Sequence, residues 1–184
     1  MPRPGVSTLA MESEPPVLWR MPPATQWRFC PLCRAELVAR ELDRAPRRAC
    51  PACGFVYWEH PRPSAAAVVA DADRRVLCVR RRYPPAAGGW CLPGGFAEPD
   101  ETAEAAACRE VWEETGIQVE AGPQLGVGGL FIAFVAAEPR GGSLQAGPDV
   151  LAAEWFPADT APPLCFPSHR EALRRWLELP RPPT

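Results

Sequence analysis

One stretch of the chain decides the fold: GFAEPDETAEAAACREVWEETGI, residues 95–117. Its alanine-rich middle predicts a helix over residues 101–115. On that helix Glu110, Glu113 and Glu114 follow the i, i+3 and i+4 spacing, so three carboxylates share one face. Like charges at this spacing repel each other. A hard divalent cation that prefers oxygen ligands, Mg²⁺ or Mn²⁺, would turn the repulsion into binding.

The charge around this stretch is uneven. Residues 98–120 hold eight acidic side chains, against Arg109 as the one basic side chain. The usual meaning of such a run is a solvated helix face. The regular spacing of the glutamates favours a cation site instead.

The stretch resembles the signature of the Nudix hydrolases, Gly-x5-Glu-x7-Arg-Glu-U-x-Glu-Glu-x-Gly-U, in which U is an aliphatic residue. Every defined position matches, with Val111 and Ile117 in the aliphatic positions. The resemblance implies an α/β fold, the Nudix-type α/β/α sandwich with a mixed sheet. It also implies metal-dependent hydrolysis of a nucleoside diphosphate linked to another moiety.

The resemblance also implies roles for individual residues. The implied Mg²⁺ or Mn²⁺ ligands are Gly94 (through its backbone carbonyl), Glu110, Glu113 and Glu114. One of the three glutamates is a candidate general base. Glu101 and Arg109 are implied to form the pair that orients them, which completes the predicted catalytic set. The alternative is a Nudix domain that binds a nucleotide without hydrolysing it.

Two cysteine motifs precede this region, CPLC at residues 30–33 and CPAC at residues 50–53, with sixteen residues between them. Two residues between cysteines let both thiolates meet one ion from a tight turn, and two such turns complete a tetrahedral site. The predicted ligands of a structural Zn²⁺ are Cys30, Cys33, Cys50 and Cys53. The alternative is four unrelated buried cysteines.

Further motifs narrow the comparison to the zinc-ribbon branch of the Nudix hydrolases, which includes NADH pyrophosphatases and FAD/ADP-ribose pyrophosphatases. Residues 60–63 (HPRP) and 92–95 (LPGG) look like that branch. Residues 122–131 lack the Ser-Gln-Pro-Trp type of motif that NADH pyrophosphatases carry. Residues 154–156 and 164–168 look closer to the FAD/ADP-ribose group. The resemblance therefore implies release of AMP from ADP-ribose, FAD or a related dinucleotide. The alternatives are a pyrophosphatase of NADH or NAD-capped RNA and a non-catalytic nucleotide- or RNA-binding module.

Five residues are candidates for substrate binding: Arg80, Arg82, Trp90, Phe131 and Glu154. Arg80 and Arg82 fall on one face of a predicted strand and could bind phosphates, or they could form an exposed edge. Trp90 and Phe131 could stack on adenine or a flavin ring, although aromatic residues in strands more often belong to the core. Glu154 could supply a further carboxylate or pair with a surface arginine.

The remaining elements are predicted from hydrophobic patterns and turn signals. The predicted strands are 65–70, 76–82, 117–119, 130–136 and 151–156, with a turn at 141–142 and a last helix at 168–179. Ser168 and Glu171 have the spacing of a capping box at the start of that helix.

The predicted organisation is a flexible, proline-rich segment (1–25), a zinc ribbon (26–60) and a Nudix hydrolase domain (61–180). A chain of 184 residues with 47% hydrophobic residues suits one domain plus a small module. The net charge of −2 argues against a dedicated nucleic-acid or membrane-surface binder. Residues 28–62 nevertheless hold seven arginines against four acids, which keeps RNA binding as an alternative.

No run of 18 apolar residues is present, so no transmembrane helix is expected. The first 25 residues do not resemble a secretory signal, and the predicted location is the cytoplasm. The predicted partner is a small-molecule nucleotide, and a homodimer is a further possibility.

Overall fold

The structure is a computed structural model that describes residues 27–59, 61–128 and 132–180. The chain divides after residue 60 into two compact units. The predicted flexible segment 1–25 and the predicted substrate residue Phe131 lie outside the described residues.

The first unit contains a three-stranded antiparallel sheet in the order β1-β2-β3. Its strands are β1 (Val38–Leu42), β2 (Ala45–Ala49) and β3 (Val56–Tyr57). Asp43 and Arg44 form the turn between β1 and β2 with φ values of 51° and 62°, as in a two-residue type I′ hairpin. The small core of this unit consists of Cys30, Leu37 and Cys50, with Trp27, Ala35 and Phe55 packed against them.

The second unit combines seven strands and two helices in its described residues. The strands are β4 (Ser64–Val69), β5 (Arg75–Arg81), β6 (Trp90–Cys91), β7 (Gly94–Phe96), β8 (Ile117–Gly128), β9 (Ile132–Gly142) and β10 (Val150–Pro157). The helices are α1 (Ala103–Thr115) and α2 (Pro167–Glu178). Neither is long and apolar enough to cross a membrane.

The strands of the second unit form two sheets, in the orders β10-β5-β6 and β7-β4-β9-β8. Strand β4 runs parallel to β9, and the other pairings are antiparallel. Side chains alternate along β4: Ala65, Ala67 and Val69 pack in the cluster beneath α1, whereas Ala66 and Val68 pack in the cluster beneath α2. The sheet is therefore covered on both faces, which explains why β4 is apolar throughout. The predicted α/β/α sandwich is confirmed.

Helix α1 has a defined start and end. The Thr102 hydroxyl accepts a hydrogen bond from the Ala105 amide at 3.2 Å and caps the first turn. At the other end Gly116 adopts the left-handed conformation, with φ of 69°, and its amide donates to the Trp112 carbonyl. The helix begins two residues later than the sequence predicts, because Thr102 caps it and Glu101 stays outside.

Two local predictions are wrong. Residues 141–142 do not form a turn but end β9, where Gly142 pairs with Ile117. A Cβ atom at Gly142 would overlap the Gly116 carbonyl oxygen, so the glycine allows two backbones to approach closely. The capping box at Ser168 does not form either, because α2 begins at Pro167 without a side-chain cap. A proline fits the first position of a helix, where no amide donor is needed.

Candidate functional site

The two cysteine motifs fold into a pair of equivalent turns. In each turn the backbone amide of the first cysteine donates to the carbonyl of the residue five positions later. The amide of the residue four positions later donates to the carbonyl of that cysteine. The four distances lie between 2.7 and 3.1 Å. That fourth residue has a left-handed backbone in both turns: φ is 66° at Arg34 and 78° at Gly54. The sequence therefore dictates the same geometry twice, once with a glycine and once without.

These turns bring four sulfur atoms together. The Sγ atoms of Cys30 and Cys53 lie 3.5 Å apart, and those of Cys33 and Cys50 lie 3.4 Å apart. All four lie within 4.8 Å of one another. Tetrahedral Zn²⁺ with Zn–S bonds of about 2.3 Å requires sulfur separations of roughly 3.8 Å. The donor set fits a closed four-thiolate zinc site, while the identity of the ion stays a prediction.

The predicted pair of Glu101 and Arg109 is present at the start of the carboxylate-bearing face of α1. Arg109 Nε and Nη2 donate to the two carboxylate oxygens of Glu101 at 2.8 and 2.9 Å. Nη2 also donates to the Phe96 carbonyl at 2.9 Å, which attaches the guanidinium to β7. A bidentate pair of this kind fixes the orientation of the guanidinium as well as its position.

The remaining donor of Arg109 reaches the glutamates. Its Nη1 lies 3.0 Å from Glu110 Oε1 and 3.0 Å from Glu113 Oε2. One guanidinium therefore offsets part of the repulsion between two carboxylates on adjacent turns of the helix. Among the described residues, only the four cysteines place three or more metal-ligating atoms all within 4.8 Å. The glutamate oxygens are instead spread over Arg109 and the backbone of β7.

Glu110 sits directly against Gly95. A Cβ atom at that position would lie within 2.6 Å of the Glu110 carboxylate and would displace it, so glycine leaves the carboxylate in this place. Burial raises the pKa of Glu110, and the hydrogen bond from Arg109 opposes that shift. The glycine pair of residues 94–95 therefore brings backbone to within contact distance of a half-buried carboxylate.

Glu114 is the most enclosed of the three glutamates. Its Oε2 accepts a hydrogen bond from the Gly94 amide at 2.9 Å. Burial raises the pKa of Glu114 from 4.5 to about 8, despite that hydrogen bond. A carboxylate in this position is ionised at neutral pH only with additional positive charge nearby. The donor set of α1 is thus all-oxygen and lacks the positive charge that would keep it ionised, which fits Mg²⁺ or Mn²⁺.

A cavity of about 490 Å³ opens beside these glutamates. Its lining residues are Glu110, Trp112, Glu113, Glu114, Gly116 and the segment 145–149. That segment is bound to the end of α1, because the amides of Gln145 and Gly147 donate to the carbonyls of Thr115 and Glu114 at 2.9 Å each. The cavity therefore has one wall made by the helix and another made by a loop fixed to it.

Two residues near Glu114 were not among the candidates from the sequence. Asp149 lines the cavity, and its charge contributes to the raised pKa of Glu114, after the larger effects of burial and Glu110. Arg81 acts in the opposite direction and lowers that pKa. The sequence gives only a weak indication of Asp149, because it is a single acidic residue after Gly-Pro and lies 35 residues beyond Glu114. Arg81 stood in a run of three arginines whose facing depends on strand register.

The substrate candidates are not gathered at the glutamates by any contact in the described part of the chain. Arg80 Nε donates to the Gly88 carbonyl at 2.9 Å, and Arg82 Nη2 donates to the Val150 carbonyl at 2.8 Å. Trp90 packs edge-on against Phe156 within the core beneath α2. Glu154 is exposed, and its possible pairing with an arginine is absent among the described residues. Their roles in binding stay predictions.

The fold and the site together define a class: an α/β/α sandwich in which a glycine pair meets an acidic helix held by a bidentate arginine. The model of the NUDIX domain matches residues 60–177. The chain belongs to the Nudix family.

Relatives and solved structures agree with this assignment. The chain is 32% identical over 162 residues to the NAD-capped RNA hydrolase NudC of Stutzerimonas stutzeri, a match that covers 84% of this chain and 56% of that protein. It is 32% identical over 127 residues to the ADP-ribose pyrophosphatase of Methanocaldococcus jannaschii, covering 64% of this chain and 74% of that protein. The crystal structure of a Nudix hydrolase from Nitrosomonas europaea superimposes with a TM-score of 0.73 at 26% identity, covering 82% and 90% of the two chains. The chain spans little more than half of the NudC relative.

Proposed function

We propose that the protein hydrolyses the pyrophosphate bond of a nucleoside diphosphate linked to another moiety, in a reaction that depends on Mg²⁺ or Mn²⁺. The proposed substrates are ADP-ribose, FAD or a related dinucleotide, and the proposed product is AMP. One observation carries the proposal: Arg109 and the amide of Gly94 hold three glutamates of α1 beside an open cavity.

The residues of the site would have separate roles in this reaction. Glu110, Glu113 and Glu114 would hold the cations, together with the Gly94 carbonyl. A bound divalent cation would neutralise phosphate charge and lower the pKa of the attacking water. Arg109, held by Glu101, would keep the glutamates in place before substrate arrives, so that no reorganisation is needed during the reaction. The segment 145–149 would form the opposite wall and bring Asp149 towards the same charges.

The four cysteines would have a separate, structural role. Zn²⁺ bound by four thiolates has no open coordination position for a water or a substrate. We therefore assign its contribution to the folding of the first unit and not to the reaction. We also propose a cytoplasmic location and a homodimer.

The first experiment is a substrate panel with zinc-loaded protein. ADP-ribose, FAD, NAD, NADH and diadenosine polyphosphates are each incubated with Mg²⁺ or Mn²⁺, and the products are separated by chromatography. AMP from ADP-ribose or FAD is the expected result. Folded, zinc-loaded protein that releases nothing from any member of the panel would turn the proposal towards a binding module.

The second experiment removes one carboxylate charge. Glu114→Gln keeps the size of the side chain, and we expect turnover to fall by at least a hundredfold because a cation loses an anionic ligand. Glu120→Gln is the matched control, since Glu120 is exposed and paired with Arg140 on β8 and β9. Equal turnover in Glu114→Gln and the control would refute the proposed role of α1.

A second candidate function is hydrolysis of NAD-capped RNA. It is favoured by the similarity to the NudC relative, which extends over 84% of this chain. The panel therefore includes a short NAD-capped RNA. Release of nicotinamide mononucleotide with a 5′-monophosphate RNA, faster than AMP from ADP-ribose, would favour this candidate over the first.

A further inference from the structure

A second charged surface lies in the first unit, on the hairpin of β1 and β2. Arg40 and Arg47 are direct cross-strand partners in the register of this hairpin. Side chains of such a pair lie on the same face, with Cβ atoms about 5 Å apart, and two like charges there destabilise the sheet. Trp58 lies on this face as well, because the Arg47 guanidinium stands 5.3 Å from the centre of its ring. We call Arg40, Arg47 and Trp58 the arginine face.

The two arginines of this face have no anionic partner. Within residues 27–59 and the other described ranges, neither guanidinium forms an ion pair or donates a hydrogen bond, and Arg47 Nε is buried without an acceptor. Two other arginines of the unit do have partners: Arg28 lies 3.5 Å from Glu36, and Arg48 donates to the Trp27 carbonyl at 3.1 Å. A guanidinium has five donors, and a buried donor without a partner costs free energy. Arg40 is exposed and Arg47 is partly exposed, and neither has a protein anion among the described residues to offset their mutual repulsion, which an anion from outside would do.

The negative groups of the first unit do not neutralise the arginine face. Glu41 is the neighbour of Arg40 in β1, and successive side chains of a strand point to opposite faces. The nearest predicted zinc ligand, Cys50, is three residues from Arg47, roughly 10 Å along an extended strand. That separation is about one Debye length at moderate salt, so thiolate charge is largely screened. The positive charge is therefore confined to the arginine face itself: residues 27–59 hold six arginines against four acids, and four thiolates on Zn²⁺ would add a net charge of −2 elsewhere in the unit.

The aromatic residue of the face adds a second kind of recognition. Trp58 is 47% exposed, and one of its faces is covered by Arg47. An exposed aromatic ring beside guanidinium groups is the arrangement that stacks an unpaired base and binds the adjoining phosphates. A base in a duplex is already stacked, so this combination selects single strands.

We propose that the arginine face binds single-stranded nucleic acid, with Arg40 and Arg47 on phosphate oxygens and Trp58 stacked on a base. This inference does not depend on the proposed hydrolase activity, because none of its residues belongs to α1 or to the cavity beside it. It adds a second binding site, for a polymer, to a chain whose other site is proposed to take a dinucleotide.

The test is binding of fluorescein-labelled oligonucleotides to the full, zinc-loaded chain, followed by fluorescence anisotropy at several salt concentrations. The probes are twelve-nucleotide oligo(U) RNA and oligo(dT) DNA, uncapped so that no pyrophosphate bond is present. We expect Arg40→Gln/Arg47→Gln to weaken binding at least tenfold. The slope of log K against log salt should fall by about 1.4, which corresponds to two phosphate contacts on a single strand. The ratio of the affinities for the two probes distinguishes RNA from DNA as the natural partner.

The matched control is Arg28→Gln/Arg140→Gln, which removes the same charge from arginines already paired with Glu36 and Glu120. We expect it to change the affinity less than twofold. Trp58→Ala should weaken binding about tenfold and leave the salt slope unchanged, since stacking releases no counterions. Zinc content and hydrolysis of ADP-ribose, measured for every variant, should match the unsubstituted protein.

Three outcomes would overturn the inference. The first is no binding of either oligonucleotide at micromolar protein. The second is an equal loss of affinity in the arginine-face variant and the control, which would indicate a general charge effect. The third is competition by a twelve-residue polyglutamate peptide as strong as by oligo(U), with Trp58→Ala unchanged, which would make the surface a site for acidic protein segments.

Discussion

Arg34 occupies a backbone position that suits glycine. Its φ of 66° matches the 78° of Gly54 in the equivalent turn of the second cysteine motif. A non-glycine residue pays roughly 1–2 kcal/mol for the left-handed conformation, because Cβ approaches the following carbonyl oxygen. The side chain of Arg34 is exposed and forms no ion pair among the described residues, so its removal loses no contact.

We therefore expect Arg34→Gly to stabilise the first unit by about 1 kcal/mol. Since metal binding and folding of a zinc module are coupled, zinc affinity should rise about fivefold. Competition with a chromophoric chelator measures it. Gly54→Ala is the reverse control: nothing lies within 4 Å of the added Cβ, so only the backbone cost remains, and affinity should fall by a similar factor. A change of the same sign in both variants would contradict this account.

Gly95 is a second position where one atom decides the site. The Cβ of an alanine would lie within 2.6 Å of the Glu110 carboxylate, which would have to swing away from β7. Displacement of a positioned group by about 1 Å can cost roughly a hundredfold in rate. We expect Gly95→Ala to lower kcat by about that factor with a nearly unchanged melting temperature. Gly141→Ala is the control, since its Cβ would meet only Gln118 Oε1 at 3.5 Å; full activity in Gly95→Ala would show that Glu110 need not stay there.

Local spacing made the core of the candidate site predictable. Glu101, Arg109 and the three glutamates lie within 14 consecutive residues, so one helix and its preceding turn fix most of their relative geometry. Asp149 and Arg81 act on the pKa of Glu114 only because β10 and β5 pack against the rest of the unit, which no local pattern encodes. Strand alternation places Arg80 and Arg82 on one face of the strand and Arg81 on the other. It does not tell which of the two faces lies towards the site, so the sequence favoured Arg80 and Arg82.

At the scale of elements, apolar runs predicted where strands occur better than where they end. Strands β8 and β9 extend well past their apolar centres, with β8 starting at the predicted Ile117 and continuing to Gly128. Their outer halves are half-exposed and pair with each other, with register shifts at residues 118–126. Two consecutive glycines, Gly141 and Gly142, are typical of a turn. In this structure Gly142 instead allows two backbones to approach closely.

Helix α2 is attached to the sheet through a buried histidine. The Leu92 amide donates to His169 Nδ1 at 3.2 Å, and the ring packs edge-on against Phe134 at 5.2 Å between centroids. His169 is 5% exposed, and burial, together with the charge of Arg81, lowers its pKa from 6.5 to about 4. The neutral ring thus packs between α2, β9 and the residue that follows β6.

This histidine predicts a loss of stability in mild acid. Between pH 6.5 and 4 the unfolded chain binds a proton at His169 that the folded protein excludes, so the free energy of unfolding falls as pH is lowered. The contribution is zero above pH 6.5 and about 3 kcal/mol at pH 4. Urea unfolding at several pH values measures it. His169→Gln, which retains an acceptor, should lack this component; parallel pH curves for the two proteins would rule out the buried neutral histidine.

At the scale of the whole molecule, the two units differ in what holds them together. The described part of the first unit has five buried apolar residues, two of them predicted zinc ligands. The second unit has extensive apolar clusters on both faces of its sheet. A module of this small size rarely folds without a metal or disulfides, whereas a domain with a two-sided core does.

Removal of zinc should therefore unfold one unit and spare the other. With a strong zinc chelator, we expect amides of residues 27–59 to exchange with deuterium within seconds, because zinc binding contributes folding energy directly. Amides of α1 and α2 should keep their protection, as measured by mass spectrometry of peptides from each range. Cys30→Ser/Cys53→Ser should reproduce the effect without chelator, and Cys108→Ser, outside the thiolate site, should not. Simultaneous loss of protection in α1 would mean that the two units fold as one, and persistence of protection in the ribbon would mean that its four thiolates do not need a metal.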